Sequence, residues 1–238
     1  QELMLILALA GTAALHLAVP LAIGIVVLLA ILTLSYEQTI HAYPGGGGAY
    51  IVARDNLGEL PAQTAGAALL TDYILTVSVS ISSGVAQVVS AFPQLYSYRI
   101  ELSVAMVALV TLINLRGVKE SGRIFAVPTY FFLLMAFITV GVGLARHFTG
   151  TLPTVIDPPA FDVEATLPLT LFLILRAFAS GTTALTGVEA ISNGITAFKE
   201  PRSKNAGQTL IVMSAVLGSL MLAITFLARQ TGAVPTES

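Results

Sequence analysis

The chain has 238 residues, of which 55% are hydrophobic and only 10% are charged, and its mean hydropathy is +0.87. Because a soluble domain is usually about one quarter charged, this composition predicts a membrane protein. The formal net charge is -2, and most charges stand in connecting segments without forming a basic patch, which excludes nucleic acid as a partner. Without cysteine, the chain has no disulfides, thiol nucleophiles or thiolate metal sites.

The first elements predicted along the chain are helical. Residues 3–13 are apolar but too few to cross a bilayer, which needs about 20 residues, so we expect them to be the second half of a helix. A turn is predicted at 16–20, and a full span at 17–36. The glycine-rich stretch 43–50, YPGGGGAY, predicts a polar re-entry in which glycine permits close approach of the backbone to a neighbouring helix.

Five further spans are predicted, at 61–91, 100–115, 124–145, 167–195 and 207–228. An aromatic interface at 92–98 closes the first of them. A loop rich in proline and acid precedes the 167–195 span, and a charged connector follows it. If 43–54 faces the cytoplasm, the inner connections carry most of the basic residues and the outer ones only Arg99, Arg146 and Arg229, as the positive-inside rule requires.

The span at 167–195 is predicted to be interrupted in its middle. From Gly181 to Gly187 it reads GTTALTG, and Glu189 follows almost at once. Glycine is a poor helix former, so two glycines flanking three hydroxyls at membrane depth indicate an unwound helix. Its freed carbonyls are tolerated in hydrocarbon only where they line a cavity or hold a solute. A carboxylate there indicates a cation or a coupled proton, and the alternative is a glycine-kinked packing helix.

The span at 61–91 carries a polar face. At about 100° per residue, six polar groups fall within one arc, whereas apolar residues cover another side; the six are Asp72, Tyr73, Thr76, Ser80, Ser83 and Gln87. Tyr73, Thr76 and Ser80 stand in a column that suits a dehydrated monovalent cation. The alternative is that these hydroxyls hydrogen-bond one helix to another.

Asp72 and Glu189 are the acids best placed within predicted spans to face the interior, and either is a candidate for the coupled proton. Asp72 has an alternative role as a cap at the cytoplasmic end of its helix. The serine-rich span has no histidine at helical spacing, and the glycine run lacks the lysine of a phosphate loop, so no enzyme is predicted. Arg176 lies within the interrupted span, and the sequence assigns it no role.

These residues resemble the amino acid–polyamine–organocation (APC) transporters. The similar features are the 43–50 stretch and the interrupted span followed by FKEP at 198–201. More narrowly, GTTALTGVEAISN at 181–193 and TDY at 71–73 resemble the KimA-type potassium importers of that superfamily. The likeness extends over nearly the whole chain. It implies an all-α polytopic membrane protein with the LeuT-like inverted-repeat fold, in which substrate binds near the midplane between broken helices one and six.

The resemblance also implies proton-coupled potassium uptake by alternating access across the bacterial inner membrane. Carried over by motif, Tyr73, Thr76, Ser80 and Thr186 surround the ion, and Asp72 and Glu189 are acids near the pathway. The second candidate is an amino-acid permease of the same superfamily, in which the amino group binds unwound carbonyls near Thr183. No cofactor is expected besides the transported potassium ion and proton, and the bilayer is the expected surrounding.

The same resemblance leads us to expect a single transporter domain over 1–238. It further suggests a fragment that lacks the first half of helix one and the helices after the seventh. Dimers are expected through a soluble domain outside this sequence.

Overall fold

The computed structural model describes residues 6–7, 12–155 and 168–233, and among these residues there is no β-strand. The described ranges contain eight α-helices: α1 (Ala18–Ala42), α2 (Gly48–Leu57), α3 (Glu59–Ala91), α4 (Arg99–Asn114), α5 (Val118–Phe148), α6 (Leu171–Gly181), α7 (Val188–Asn193) and α8 (Arg202–Thr231). Short 3-10 helices and loops join them. The predicted all-α fold is confirmed.

Six helical stretches of the described chain are long and apolar enough to cross a membrane: Ala14–Ala42, Glu59–Ala91, Pro93–Asn114, Gly122–Phe148, Leu171–Asn193 and Arg202–Thr231. They coincide with the six full spans predicted from the sequence and differ from them only at their ends. The predicted half-helix at 3–13 lies outside the described residues except for 6 and 7. The middle of the proline-rich loop, 156–167, also lies outside them.

The turn predicted at 16–20 is wrong. Thr12–Leu17 form a 3-10 helix that continues directly into α1 at Ala18. Pro20 therefore lies in the first turn of an α-helix. Proline is tolerated at this position because the N–H groups of the first turn need no acceptor within the helix. The proline consequently marks the beginning of a span and does not mark a break in the chain.

The chain forms two compact units. The first comprises residues 1–48 and 134–237, as far as they are described, and the second comprises Ala49–Leu133. The helix α5 contributes its C-terminal half to the first unit and its N-terminal half to the second. The single transporter domain stays a prediction.

Small residues let α1 and α8 pack closely at the centre of the first unit. A Cβ atom at Gly218 would lie 3.5 Å from side-chain atoms of both Val26 and Leu29. The buried hydroxyl of Thr33 lies 2.8 Å from that of Ser214 and within hydrogen-bond distance of a carbonyl oxygen of its own helix. Close backbone approach and hydrogen bonds between helices are the interactions that hold helices together where lipid removes the hydrophobic driving force.

The loop between α1 and α2 approaches α7 through three consecutive glycines. Gly46, Gly47 and Gly48 have φ angles of 82°, 99° and 46°, in the left-handed region that glycine adopts without steric cost. The Gly47 N–H donates to the carbonyl oxygen of Asn193, with an N–O distance of 3.4 Å. A side chain at Gly48 would overlap the Asn193 carboxamide. The predicted approach of glycine backbone to a neighbouring helix is confirmed, and the neighbour is α7.

The second unit consists of α2, α3, α4 and the first half of α5. The helices α3 and α4 contact each other and are joined by the 3-10 helix Pro93–Tyr98. Among the residues of this unit whose burial is described, only Ala62 and Val85 of α3 are buried, and α4 has no buried residue. Most of the large apolar side chains on α3 and α4 are exposed, which suits helices surrounded by lipid, because lipid chains are as apolar as the side chains themselves.

Candidate functional site

The backbone between α6 and α7 leaves the α-helical path. Gly181 is the last residue of α6, and Thr182–Leu185 form one 3-10 turn. Thr186 is then extended, with φ -60° and ψ 137°, and Gly187 is left-handed, with φ 91°. A residue other than glycine would be strained at Gly187. The regular ladder of helical hydrogen bonds is therefore interrupted inside the GTTALTG stretch, next to Glu189.

The interrupted segment has an apolar side and a hydroxyl side. Leu185, Val188 and Ile191 are buried in the core of the first unit, whereas Thr183 and Thr186 are exposed. The Thr186 N–H donates to the Thr183 carbonyl oxygen at 3.2 Å, so one tight turn holds both threonines. Their hydroxyls form no hydrogen bond with the residues that the structure describes. Packing therefore uses one side of the segment and leaves the hydroxyls of the other side available.

Glu189 is held by a tyrosine of another helix. It lies in the first turn of α7 and is half-buried. Tyr36, near the C-terminal end of α1, donates its phenolic hydroxyl to Glu189 Oε2 across 3.5 Å, which is long for such a bond. The carboxylate thus faces α1 inside the first unit. This contact ties the acid beside the helix break to the first full span.

The predicted column of oxygen atoms stands on one unbroken helix. The helix α3 runs without interruption from Glu59 to Ala91, so Tyr73, Thr76 and Ser80 keep the spacing of a regular α-helix. Tyr73 and Thr76 are half-buried within the second unit, and Ser80 is exposed. These three side chains lie on one face, as the periodicity predicts.

The hydroxyls of α3 differ in whether the helix itself uses them. Thr71 and Ser78 donate to the carbonyl oxygen four residues earlier in the helix, at 3.0 and 2.8 Å. Thr76 and Ser80 form no hydrogen bond within the part of the chain that the structure describes. Within the predicted column, the hydroxyls of Thr76 and Ser80 therefore remain available to a ligand.

Asp72 lies deep in α3 and does not cap it. The helix begins at Glu59 after Gly58, whose φ is 96°, so Asp72 stands about 20 Å along the helix axis from the first residue. The alternative that Asp72 caps the cytoplasmic end is therefore wrong. The physical reason is that α3 is continuous from Glu59 through Asp72, so the backbone N–H groups near Asp72 already have acceptors within the helix. The Asp72 side chain is exposed in the second unit.

The predicted site residues are divided between the two units. The second unit contains Asp72, Tyr73, Thr76 and Ser80, and the first contains Gly181, Thr183, Thr186, Gly187 and Glu189. Each set is grouped within its own unit, and a single site formed by both sets stays a prediction. Arg176 lies on the exposed side of α6, away from the buried Leu173 and Ala177.

Three residues near the break were not predicted from the sequence. Tyr36 is 153 positions from Glu189, so no local spacing could have indicated the contact. The carbonyl oxygen of Asn193 accepts a hydrogen bond from the Gly47 N–H of the glycine loop described above. Ser192 is 1% exposed, and its hydroxyl has no hydrogen-bond partner among the described residues. A buried hydroxyl of this kind calls for an explanation such as an ordered water, and the only signal in the sequence is its position one turn after Glu189.

A family profile described as "Amino acid permease" matches residues 4–237. The chain belongs to the amino acid permease family. The predicted resemblance to the APC transporters is thereby confirmed. With six apolar helices among its described residues, this amino acid permease family member is a multi-pass protein of the bacterial plasma membrane.

The narrower resemblance is also confirmed. This permease-family chain is 47% identical, over 99% of its length, to the protein named Potassium transporter KimA from Bacillus subtilis (strain 168). It spans 39% of the length of that relative. The aligned region includes both the α3 column and the interrupted segment, because it covers nearly the whole chain.

Proposed function

We propose that this protein is a secondary transporter that takes up potassium together with protons by alternating access. The observation that carries the proposal is the interrupted helix: at Thr186 and Gly187 the backbone leaves helical form inside an apolar span, beside hydroxyls and the carboxylate of Glu189. Irregular backbone at membrane depth is tolerated where it lines a cavity or binds a solute. Potassium as the solute is supported by the relative that is named a potassium transporter.

The potassium ion would exchange its water shell for protein oxygens. Tyr73, Thr76 and Ser80 of α3 supply neutral oxygens of the kind that replaces a hydration shell. Thr183 and Thr186 supply oxygens of the same kind within the first unit. The hydroxyls of Thr76 and Ser80 suit this role because α3 does not use them for its own hydrogen bonds within the described chain. Neutral ligands bind the ion weakly enough for it to leave again, and transport requires that release on the other side of the membrane.

Glu189 is the better candidate for the coupled proton. It is half-buried beside the helix break and receives the Tyr36 hydroxyl, whereas Asp72 is exposed in its unit. Moving an ionised carboxylate through a low-dielectric interior is costly. Protonation of Glu189 removes that cost, so the loaded carrier changes conformation with its acid neutralised. This links proton entry to potassium entry.

The family description favours a second candidate, a proton-coupled amino-acid permease. In that function the amino group of the substrate would bind backbone carbonyls of the turn at Thr183 and Thr186. The substrate carboxylate would bind at helix N-termini, whose dipole ends are positive. The two candidates share the fold and differ in what occupies the break.

The test is growth of a potassium-uptake-deficient bacterium on scarce potassium, expressing the complete gene that encodes this chain. We expect rescue that disappears with a protonophore. Thr76→Ala should lower potassium uptake roughly tenfold to hundredfold, since a lost bond to a charged group costs about 1.5–3 kcal/mol. Ser78→Ala is the matched control, because Ser78 donates its hydroxyl to its own helix.

The outcome that contradicts the potassium proposal is absence of rescue despite verified expression in the membrane. Uptake of radiolabelled amino acids would then test the second candidate. An equal loss of potassium uptake in Thr76→Ala and Ser78→Ala would not contradict potassium transport. It would show that the α3 column is not part of the potassium site. Dimerisation stays a prediction that the mass of the purified protein would check.

A further inference from the structure

A cleft of about 520 Å³ opens in the second unit, between α3, α4 and the 3-10 helix Pro93–Tyr98. Its walls are largely apolar, formed by Val85, Val89, Ile100 and Val104. Tyr96 and Arg99 also line it, close to the connection between the two helices. The cleft belongs to neither set of predicted site residues, so potassium binding does not account for it.

Arg99 is held in place at this cleft but is not neutralised. Its guanidinium carbon lies 4.4 Å from the centre of the Tyr96 ring, and its Nη1 donates to the Tyr96 carbonyl oxygen at 3.2 Å. It forms no ion pair with any carboxylate of residues 12–155 and 168–233. Glu101, two positions later, is turned about 200° around the helix. A positioned cation with further free donors therefore stands at the cleft.

The residues around the cleft indicate that it extends from the membrane surface into the hydrocarbon. Three exposed aromatic side chains, Phe92, Tyr96 and Tyr98, surround the connection, as is typical of the interface between membrane and water. From Tyr73 to Tyr98 the sequence has no charged residue. Ser82, at the far end of the lining, lies ten positions before Phe92 on α3, which is about 15 Å along the helix axis. We therefore expect the cationic end at headgroup depth and the apolar walls at acyl-chain depth.

We propose that this cleft binds one anionic phospholipid, with the phosphate on Arg99 and an acyl chain along the apolar walls. Arginine presents planar donors that match phosphate oxygens and is favoured where phosphate is recognised. The apolar walls exclude a ligand that is charged along its whole length, since a charge there would be desolvated without a partner. The charge at one end and the hydrocarbon along the rest match the two parts of a phospholipid.

The test is native mass spectrometry of the purified full-length protein with added phosphatidylglycerol. We expect one tightly bound lipid per chain, and about tenfold lower occupancy in Arg99→Gln, which removes the charged donors. Ala86→Phe should lower occupancy similarly, because Ala86 lines the cleft and a phenyl ring would fill it. Arg146→Gln, at an exposed arginine in the last turn of α5, is the control and should bind as the unchanged protein does.

Two further ligands distinguish binding of an anionic phospholipid from binding of a zwitterionic lipid or of a free phosphate compound. Phosphatidylcholine should bind at least about tenfold more weakly than phosphatidylglycerol, and glycerol phosphate should not displace the lipid. Displacement by glycerol phosphate, equal binding of both lipids, or equal occupancy in all variants would overturn the proposal. Loss of the bound lipid in Arg99→Gln but not in Ala86→Phe would also overturn the proposal. That result would mean that Arg99 attracts the lipid headgroup at the protein surface and that the cleft holds no acyl chain. Val104→Phe replaces Ala86→Phe if that variant fails to fold, since Val104 is 64% exposed.

Discussion

The helix α3 and the α6–α7 segment present oxygen atoms in different ways. In α3 the 33-residue ladder is continuous, so the backbone carbonyls are occupied and the side chains must supply the ligands. In the α6–α7 segment Thr186 and Gly187 leave helical form, so backbone groups become available beside the threonine hydroxyls. The comparison shows that a continuous helix fixes the spacing of ligands, whereas an interrupted one adds backbone ligands and a point of bending.

The comparison also concerns glycine. Gly84 lies within the regular α3 helix and a Cβ atom there would meet nothing within 4 Å. A Cβ atom at Gly187 would also meet nothing within 4 Å, but its φ is 91°. Equal space and different backbone conformation make the two positions a matched pair. Substitutions at these and related positions can therefore break or sharpen the contrast between the two segments.

The largest effect is expected at the acid of the interrupted segment. Glu189→Gln should abolish proton-driven accumulation of potassium against its concentration gradient while leaving membrane insertion intact, because an amide cannot take up and release the coupled proton. Glu101→Gln, an exposed acid in the first turn of α4, is the control and should retain uptake. Potassium uptake into reconstituted vesicles under a proton gradient measures both. Normal uptake by the Glu189→Gln protein would exclude Glu189 as the coupling acid.

The next effect is expected where the glycine loop contacts α7. Gly48→Ala should lower the free energy of unfolding by about 2–4 kcal/mol, from the positive φ and the overlap with Asn193 together. Gly45→Ala should change it by less than about 0.5 kcal/mol, since a Cβ atom there meets nothing within 4 Å. Chemical unfolding in detergent measures both variants. Equal stability of the two would show that the loop does not hold α7.

Substituting alanine at Gly187 and at Gly84 should change the free energy of unfolding in opposite directions. Gly187→Ala should destabilise the protein by about 1–2 kcal/mol through its left-handed backbone. Gly84→Ala should stabilise it by about 0.5–1 kcal/mol, because alanine is the better helix former. The same unfolding measurement compares them. A shift of the same sign in both would contradict the difference between an interrupted and a continuous helix.

The smallest effect is expected at the tyrosine that holds the acid. Tyr36→Phe should lower potassium uptake only about two- to fivefold, since a hydrogen bond between membrane helices is worth about 0.6 kcal/mol on average and the O–O distance of 3.5 Å is long. Tyr130→Phe, at a 71% exposed tyrosine of α5, is the control. In the Glu189→Gln background, Tyr36→Phe should leave potassium binding unchanged. A further loss of binding in that background would mean that Tyr36 acts independently of Glu189.

Much of the fold could be predicted because membrane spans are local features. Length and hydropathy of each segment indicated all six spans, and the composition of the 181–187 stretch indicated the interruption. Two local predictions were wrong, and both concern where a helix begins. Pro20 was assigned to a turn, although proline fits the first helical turn, and the alternative cap at Asp72 is excluded because α3 begins well before it, at Glu59.

The sequence by itself determined which segments cross the membrane, where one of them is interrupted, and which hydroxyls share a face of α3, since these depend on residues within a few helical turns of one another. Only the tertiary structure decided that Tyr36 holds Glu189, that the glycine loop meets Asn193, and that Thr71 and Ser78 use their hydroxyls within α3. The physical reason is that apolar helices are similar on most of their faces. Hydropathy therefore places them in the bilayer, whereas side-chain packing and individual hydrogen bonds choose their partners.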